Sequence, residues 1–143
     1  MPAKTIRVFI DTNVWFSSLY GSNNCQTIID AHRHGMIIAV ISARVLDELV
    51  KNVENKLPDQ LQKLQTLLVS YPPEIAPNPV DIPEKYLSLI SLKDLPIFVS
   101  AAQANANYFI TGNIKDFKRN RKKKIGNITI LTPKEAVKVL GLS

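Results

Sequence analysis

Arg7-Val-Phe-Ile-Asp11-Thr-Asn13 is the stretch whose reading decides the fold. An apolar run, a strand over roughly Ile6 to Ile10, stops abruptly at a carboxylate followed by two small polar residues. A buried strand thus delivers Asp11 to its end. In an open parallel α/β sheet the carboxyl ends of the strands face the ligand crevice, so an acid placed there is a candidate for chemistry. Taken alone, Asp11 could equally cap a turn.

Working outward, Ser17 to Asn24 is polar and reads as a loop with a helix N-cap, followed by a helix from about Cys25 to Arg33 that Gly35 closes. Met36 to Ile41 is a continuous apolar run of strand length, expected where helices cover both faces of a parallel sheet. Ser42 suits the N-cap of a helix from Ala43 to about Lys56, in which Val45, Leu46, Leu49, Val50 and Val53 recur at helical spacing. Leu61, Leu64, Leu67 and Leu68 predict a further helix over Asp59 to Ser70, with Pro58 at an early position. Five prolines between Tyr71 and Pro83 exclude regular helix or central strand, leaving an extended connector. Ile82 to Leu92 reads as a short helix, and Ile97 to Ala106 as a small-residue helix suited to packing on a sheet. Tyr108 to Thr111 and Ile128 to Leu131 are the last strands, and Thr132, Pro133 and Gly141 bracket a C-terminal helix. Strands alternating with helices predict a three-layer α/β/α domain with a mainly parallel central sheet, spanning residues 1–143 as one unit.

At 143 residues the chain fits one ordinary domain. The single Cys25 excludes an internal disulfide framework and a cysteine-based zinc cage, which points to a reducing compartment. The longest apolar run falls well short of a membrane span and the N-terminus has no signal-peptide core, so a cytosolic location with no membrane partner is expected. The net charge of +6 is concentrated in one segment: Lys115, Lys118, Arg119, Arg121, Lys122, Lys123 and Lys124 stand against one acid, Asp116. Such a segment favours a polyanion, because each phosphate it neutralises releases condensed counterions. It is also what a solvated, solubilising loop looks like.

Three acids occupy marked positions. Asp11 ends a strand, Asp94 precedes an alanine-rich helix, and Glu48 sits at or beside the apolar face of its helix, an odd place for a solvated glutamate. Carboxylates gathered in one crevice repel one another and persist only if protons or cations neutralise them. An all-oxygen set without Cys or many His suits hard divalent cations. Metal-assisted phosphodiester cleavage combined with a basic segment is the logic of a nuclease.

Asp11-Thr-Asn-Val14, the Ser42 to Leu49 segment with Glu48, Asp94-Leu-Pro-Ile-Phe-Val-Ser-Ala-Ala102 and Tyr108-Phe-Ile-Thr-Gly-Asn113 resemble, in order, the motifs of PIN domains, the ribonuclease fold of VapC-like toxins. The resemblance spans Val8 to about Pro133. It implies an endoribonuclease that hydrolyses phosphodiester bonds of single-stranded RNA with Mg²⁺ or Mn²⁺. Asp11, Glu48 and Asp94 would be its ligands, and Asn13 and Thr111 would be polar supporters, although ordinary turn hydrogen bonding explains the last two equally well. An antitoxin partner and a homodimer are implied as well. Many relatives carry an acid where this chain has Asn113, whose amide oxygen can ligate but brings no charge; Asp116 is the candidate to compensate.

Other readings compete. A haloacid-dehalogenase-type phosphatase needs a second acid where Asn13 stands, and a phospho-accepting receiver domain wants acids just before Asp11. The stronger rival is a catalytically weak PIN-like module that binds RNA or a protein without cutting, supported by Asn113. His32 and His34, two residues apart, point to different helix faces and suit packing or surface roles better than a shared metal. Trp15 could stack a base, or pack over the loop.

Overall fold

The apolar run before Asp11 forms an inner strand of a six-stranded sheet. The computed structural model describes residues 5–88, 90–113 and 124–142. Its strands are β1 (Ile6–Ile10), β2 (Ile37–Ser42), β3 (Glu74–Ala76), β4 (Tyr108–Ile110), β5 (Lys124–Ile125) and β6 (Ile128–Leu131). Its helices are α1 (Thr12–Leu19), α2 (Asn23–Arg33), α3 (Ala43–Lys56), α4 (Leu61–Ser70), α5 (Leu95–Gln103) and α6 (Pro133–Val139). The strand order is β3-β2-β1-β4-β6-β5, with every pair parallel except β5 and β6.

Successive strand residues point to opposite faces, yet Val8, Phe9 and Ile10 are all fully buried, as are Ala39, Val40 and Ile41. Helices therefore cover both faces, which is why these strands read as continuous apolar runs. Phe9 stacks on Phe109 with ring centroids 5.1 Å apart, and Phe98 of α5 tilts against Phe109 at 5.5 Å, joining the central strands to the helix that follows Asp94. The mainly parallel α/β/α architecture stands as expected.

Several local expectations are corrected. Ser17 to Asn24 is only in part a loop, because α1 occupies Thr12–Leu19 and α2 already begins at Asn23 behind its cap Ser22. Asp11 nucleates α1 by accepting from the Thr12 amide, while Val14, Trp15 and Ser18 bury one side of it. The proline-rich connector contains β3, which among the described residues pairs only with β2; prolines exclude a central strand but tolerate an edge. Among the described residues of Ile82 to Leu92 there is one 3₁₀ turn, at Glu84–Tyr86, instead of a longer helix. A two-residue strand, β5, turns antiparallel onto β6 through Gly126 at φ 62°. Of the basic segment only Lys124 is described, exposed at the start of β5; Lys115, Asp116, Lys118, Arg119, Arg121, Lys122 and Lys123 lie outside the described residues.

Helix boundaries elsewhere follow their caps. The Ser42 side chain accepts from the Val45 amide at 3.1 Å, and Thr132 and Glu135 form a reciprocal capping box on α6. Among the described residues no helix is long and apolar enough to cross a membrane.

Candidate active site at the carboxyl ends of β1 and β4

The parallel register pairs Ile10 with Ile110, so the residues that follow, Asp11 and Thr111, emerge side by side at the carboxyl end of the sheet. The Thr111 hydroxyl donates to Asp11 Oδ2 at 2.8 Å, the Thr12 amide donates to Oδ1 at 2.8 Å, and the Asn13 side-chain amide donates to Oδ2 at 3.3 Å. Thr111 in turn accepts from the Asn113 amide at 3.0 Å, which places the post-β4 turn in the same network. Asn13 Oδ1 accepts from the Gly112 amide at 2.8 Å. Space at position 112 is tight: a Cβ there would come 3.1 Å from Asn13 Oδ1, so the Asn13 side chain would have to shift by a few tenths of an ångström.

Asp11 is only 8% exposed. Burial pushes its carboxyl above the ordinary carboxylate range; the Thr111 hydroxyl and the Thr12 amide pull it back, the charge of Glu48 adds to the rise, and Asn13 offsets part of it. A buried acid held up in this way is one that an added positive charge would relieve.

Glu48 comes from α3, placed beside the apolar ridge of Val45, Leu49 and Val53, all buried. Its Oε2 accepts from the Thr12 hydroxyl at 3.1 Å, and Arg44 Nε lies 3.8 Å from its Oε1. The side chain is 45% exposed, so the odd sequence position corresponds to a carboxylate at the crevice wall, half in solvent. Asp94 stands at the N-cap position of α5 but makes no capping hydrogen bond; it is 7% exposed and accepts from Ser91 Oγ at 2.8 Å. A simple N-cap role does not account for it.

Asp11, Asn13, Glu48, Asp94 and Asn113 border one crevice of about 360 Å³, together with Thr12, Phe16, Arg44, Asn52, Lys56 and Lys93. The structure therefore brings Asp11, Glu48, Asp94 and Asn113 to one space. Among the described residues it does not bring three of the acids close enough together to form a metal cage. The donor set, carboxylate and amide oxygens around a buried acid of raised proton affinity, fits a hard divalent cation.

The sequence reading missed Thr12 and Ser91, which hold Glu48 and Asp94, and the crevice residues Phe16, Arg44, Asn52, Lys56 and Lys93. A signal was present: Arg44, Asn52 and Lys56 lie four or eight residues from Glu48, along the same row of the helix. Trp15, the aromatic first considered for base stacking, is 1% exposed and donates its Nε1 to the Ile10 carbonyl at 3.0 Å, a packing role. His32 likewise packs: its Nδ1 accepts from the Ala39 amide and its Nε2 meets the Tyr71 carbonyl at 2.8 Å.

A family model described as PIN domain matches residues 7–115, which takes in Asp11, Glu48, Asp94 and Asn113. The chain belongs to the PIN domain family. Among curated proteins no match is found. Solved structures resemble it in fold. VapBC2 from Rickettsia felis, bound to a DNA fragment from their promoter, aligns with a TM-score of 0.62 at 24% identity, over 89% of this chain and 98% of that one. A toxin-antitoxin complex from Klebsiella pneumoniae aligns with 0.62 at 21% identity, over 88% and 97%. VapC20 from Mycobacterium tuberculosis, a sarcin-ricin loop cleaving toxin, aligns with 0.51 at 13% identity, over 71% and 86%.

Proposed function

We propose that this PIN domain protein is a metal-dependent endoribonuclease that hydrolyses phosphodiester bonds of single-stranded RNA and serves as the toxin of a toxin-antitoxin pair. The observation that carries this reading is the crevice that Asp11, Glu48, Asp94 and Asn113 share at the carboxyl ends of β1 and β4. Likeness to a sarcin-ricin loop cleaving toxin and to toxin-antitoxin complexes supports it. A protein antitoxin covering the crevice, a homodimer and a cytosolic setting complete the reading.

Asp11, Glu48, Asp94 and Asn113 would hold Mg²⁺ or Mn²⁺, with Asp116 as a further candidate. Such an ion supplies Lewis acidity toward a phosphoryl oxygen and a water of lowered pKa. The remaining work belongs to the chain. Thr111 and the Thr12 amide fix both oxygens of Asp11, so the carboxylate keeps one orientation while charge accumulates beside it. Thr12 holds Glu48 toward the same space, and Ser91 holds Asp94 from the other side. Asn113 contributes an oxygen without charge, so the site relies on the three acids for its affinity.

The test is cleavage of labelled single-stranded RNA with Mg²⁺, Mn²⁺ or a chelator, for the wild type, Asp11→Asn and Glu48→Gln. Cleavage should require the ion and fall by at least about 100-fold in each variant, more than loss of an outer hydrogen bond costs. RNA binding by the wild type without any cleavage would reject the nuclease and leave a binding module.

A further inference from the structure

Arg44, Glu48, Asn52 and Lys56 are spaced four residues apart on α3, so each neighbours the next along a row that winds by about 120° around the helix, and all four line the crevice. The ridge from Arg44 to Lys56 is about 18 Å long at the α-helical rise. Its cations stand at the two ends with the Glu48 carboxylate between them. Lys93, next to Asp94, also lines the crevice.

Helix stabilisation does not account for this pattern. The Arg44–Glu48 pair is long at 3.8 Å, with the two side chains 51% and 45% exposed, the class of surface pair that contributes little. Lys56 has no carboxylate partner among the described residues; its ammonium lies 5.9 Å from the ring centroid of Phe16, another crevice residue. The contrast lies on the same helix. Lys51 pairs with Asp47 at 2.9 Å, both about two thirds exposed, and neither borders the crevice.

We infer that this ridge is the track of the RNA backbone: Arg44 binds a phosphate on one side of the scissile bond and Lys56, with Asn52, binds a phosphate on the other. The inference rests on the ribonuclease reading and adds to it the residues that seat the strand. A polyanion approaching Asp11, Glu48 and Asp94 is repelled unless cations flank them, and the ridge places cations on both sides of Glu48. The guanidinium matches phosphate geometry with two parallel donors, while the ammonium acts as a point charge. The amide of Asn52, between Glu48 and Lys56, can donate to a phosphate or sugar oxygen without altering the charge.

The experiment measures binding of a labelled single-stranded RNA oligonucleotide against salt in Mg²⁺, in an Asp11→Asn parent that does not cleave. Arg44→Gln and Lys56→Gln should each reduce the magnitude of the slope of log K against log salt by about 0.7, and their combination by about 1.4, the single-strand value per phosphate. Lys51→Gln removes the same charge from a residue of the same helix that is paired with Asp47 and does not line the crevice, and should leave the slope unchanged. Melting temperatures matching the parent's exclude unfolding as the cause. If Arg44→Gln and Lys56→Gln keep the slope of Lys51→Gln while the wild type cleaves RNA, the track is refuted and the nuclease stands. If the wild type neither binds nor cleaves, both fall.

Discussion

Replacing Thr111 with valine keeps the shape of a residue that is 2% exposed and removes one hydroxyl with two partners. Asp11 Oδ2 loses its closest donor, at 2.8 Å, and the Asn113 amide loses its acceptor, at 3.0 Å. A hydrogen bond to a charged group is worth about 1.5–3 kcal/mol and a neutral one about 1, against which a buried methyl returns somewhat under 1. The net cost at neutral pH is about 2 kcal/mol, a fall of roughly 6 °C in Tm for a chain of this size. The cost should also depend on pH. Asp11 has a folded-state proton affinity above its unfolded value, so the wild type loses stability as pH rises through the folded pKa, and the Thr111 hydroxyl limits that loss. Removing it raises the carboxyl further. The penalty is therefore largest above the variant's folded pKa, where Asp11 is ionised in both proteins. Below the wild type's folded pKa, where the carboxyl is neutral, it shrinks toward about 1 kcal/mol. Urea or thermal unfolding in chelator, between about pH 4 and pH 8, reads this directly. A Tm loss of equal size at every pH, or the same loss in an Asp11→Ala background, would refute the coupling.

Gly112→Ala should push the Asn13 side chain off its hydrogen bond to position 112 and cost about 1 kcal/mol, measured by urea unfolding. A variant of unchanged stability and unchanged metal-dependent cleavage would remove Asn13 from the supporting set. Ser91→Ala removes the hydroxyl that donates to the Asp94 carboxylate and should weaken Mn²⁺ affinity by about 10-fold while the fold persists, read by titrating cleavage with the ion. Trp15→Phe leaves the buried Ile10 carbonyl without its indole donor and should lower stability by about 2 kcal/mol, with RNA affinity per folded molecule unaltered. A selective loss of RNA affinity there would restore Trp15 as a stacking platform.

What could be read in the chain, and what could not, follows from how each element is stabilised. β1 and α3 were legible to the residue because an apolar run ending at Asp11 and a serine cap followed by helical spacing are local signals. α1 was not, because Trp15, Phe16 and two serines are modest helix formers; tertiary burial of Val14 and Trp15 and the Asp11 cap stabilise it. β3 and β5 are short edge pieces whose pairing depends on strands far away in sequence. The acids of the crevice were visible because each stood where a solvated acid is unexpected. Arg44, Asn52 and Lys56 were not, because in sequence they resemble any solvent-facing helix residues and only the location of Glu48 gives them a shared direction.

The hydrogen bond between Thr111 and Asp11 joins residues 100 positions apart. During synthesis, β1, β2 and α3 leave the ribosome long before β4 exists, so the Asp11 carboxylate waits without its hydroxyl donor and without the strand that fixes its neighbour. At 5–20 residues per second that interval is roughly 5–20 s. A nascent or truncated chain that ends before Thr111 carries all three acids yet lacks the hydroxyl that fixes Asp11 Oδ2, so the hydrogen-bond network around Asp11 is complete only after β4, the strand beside β1, has been made.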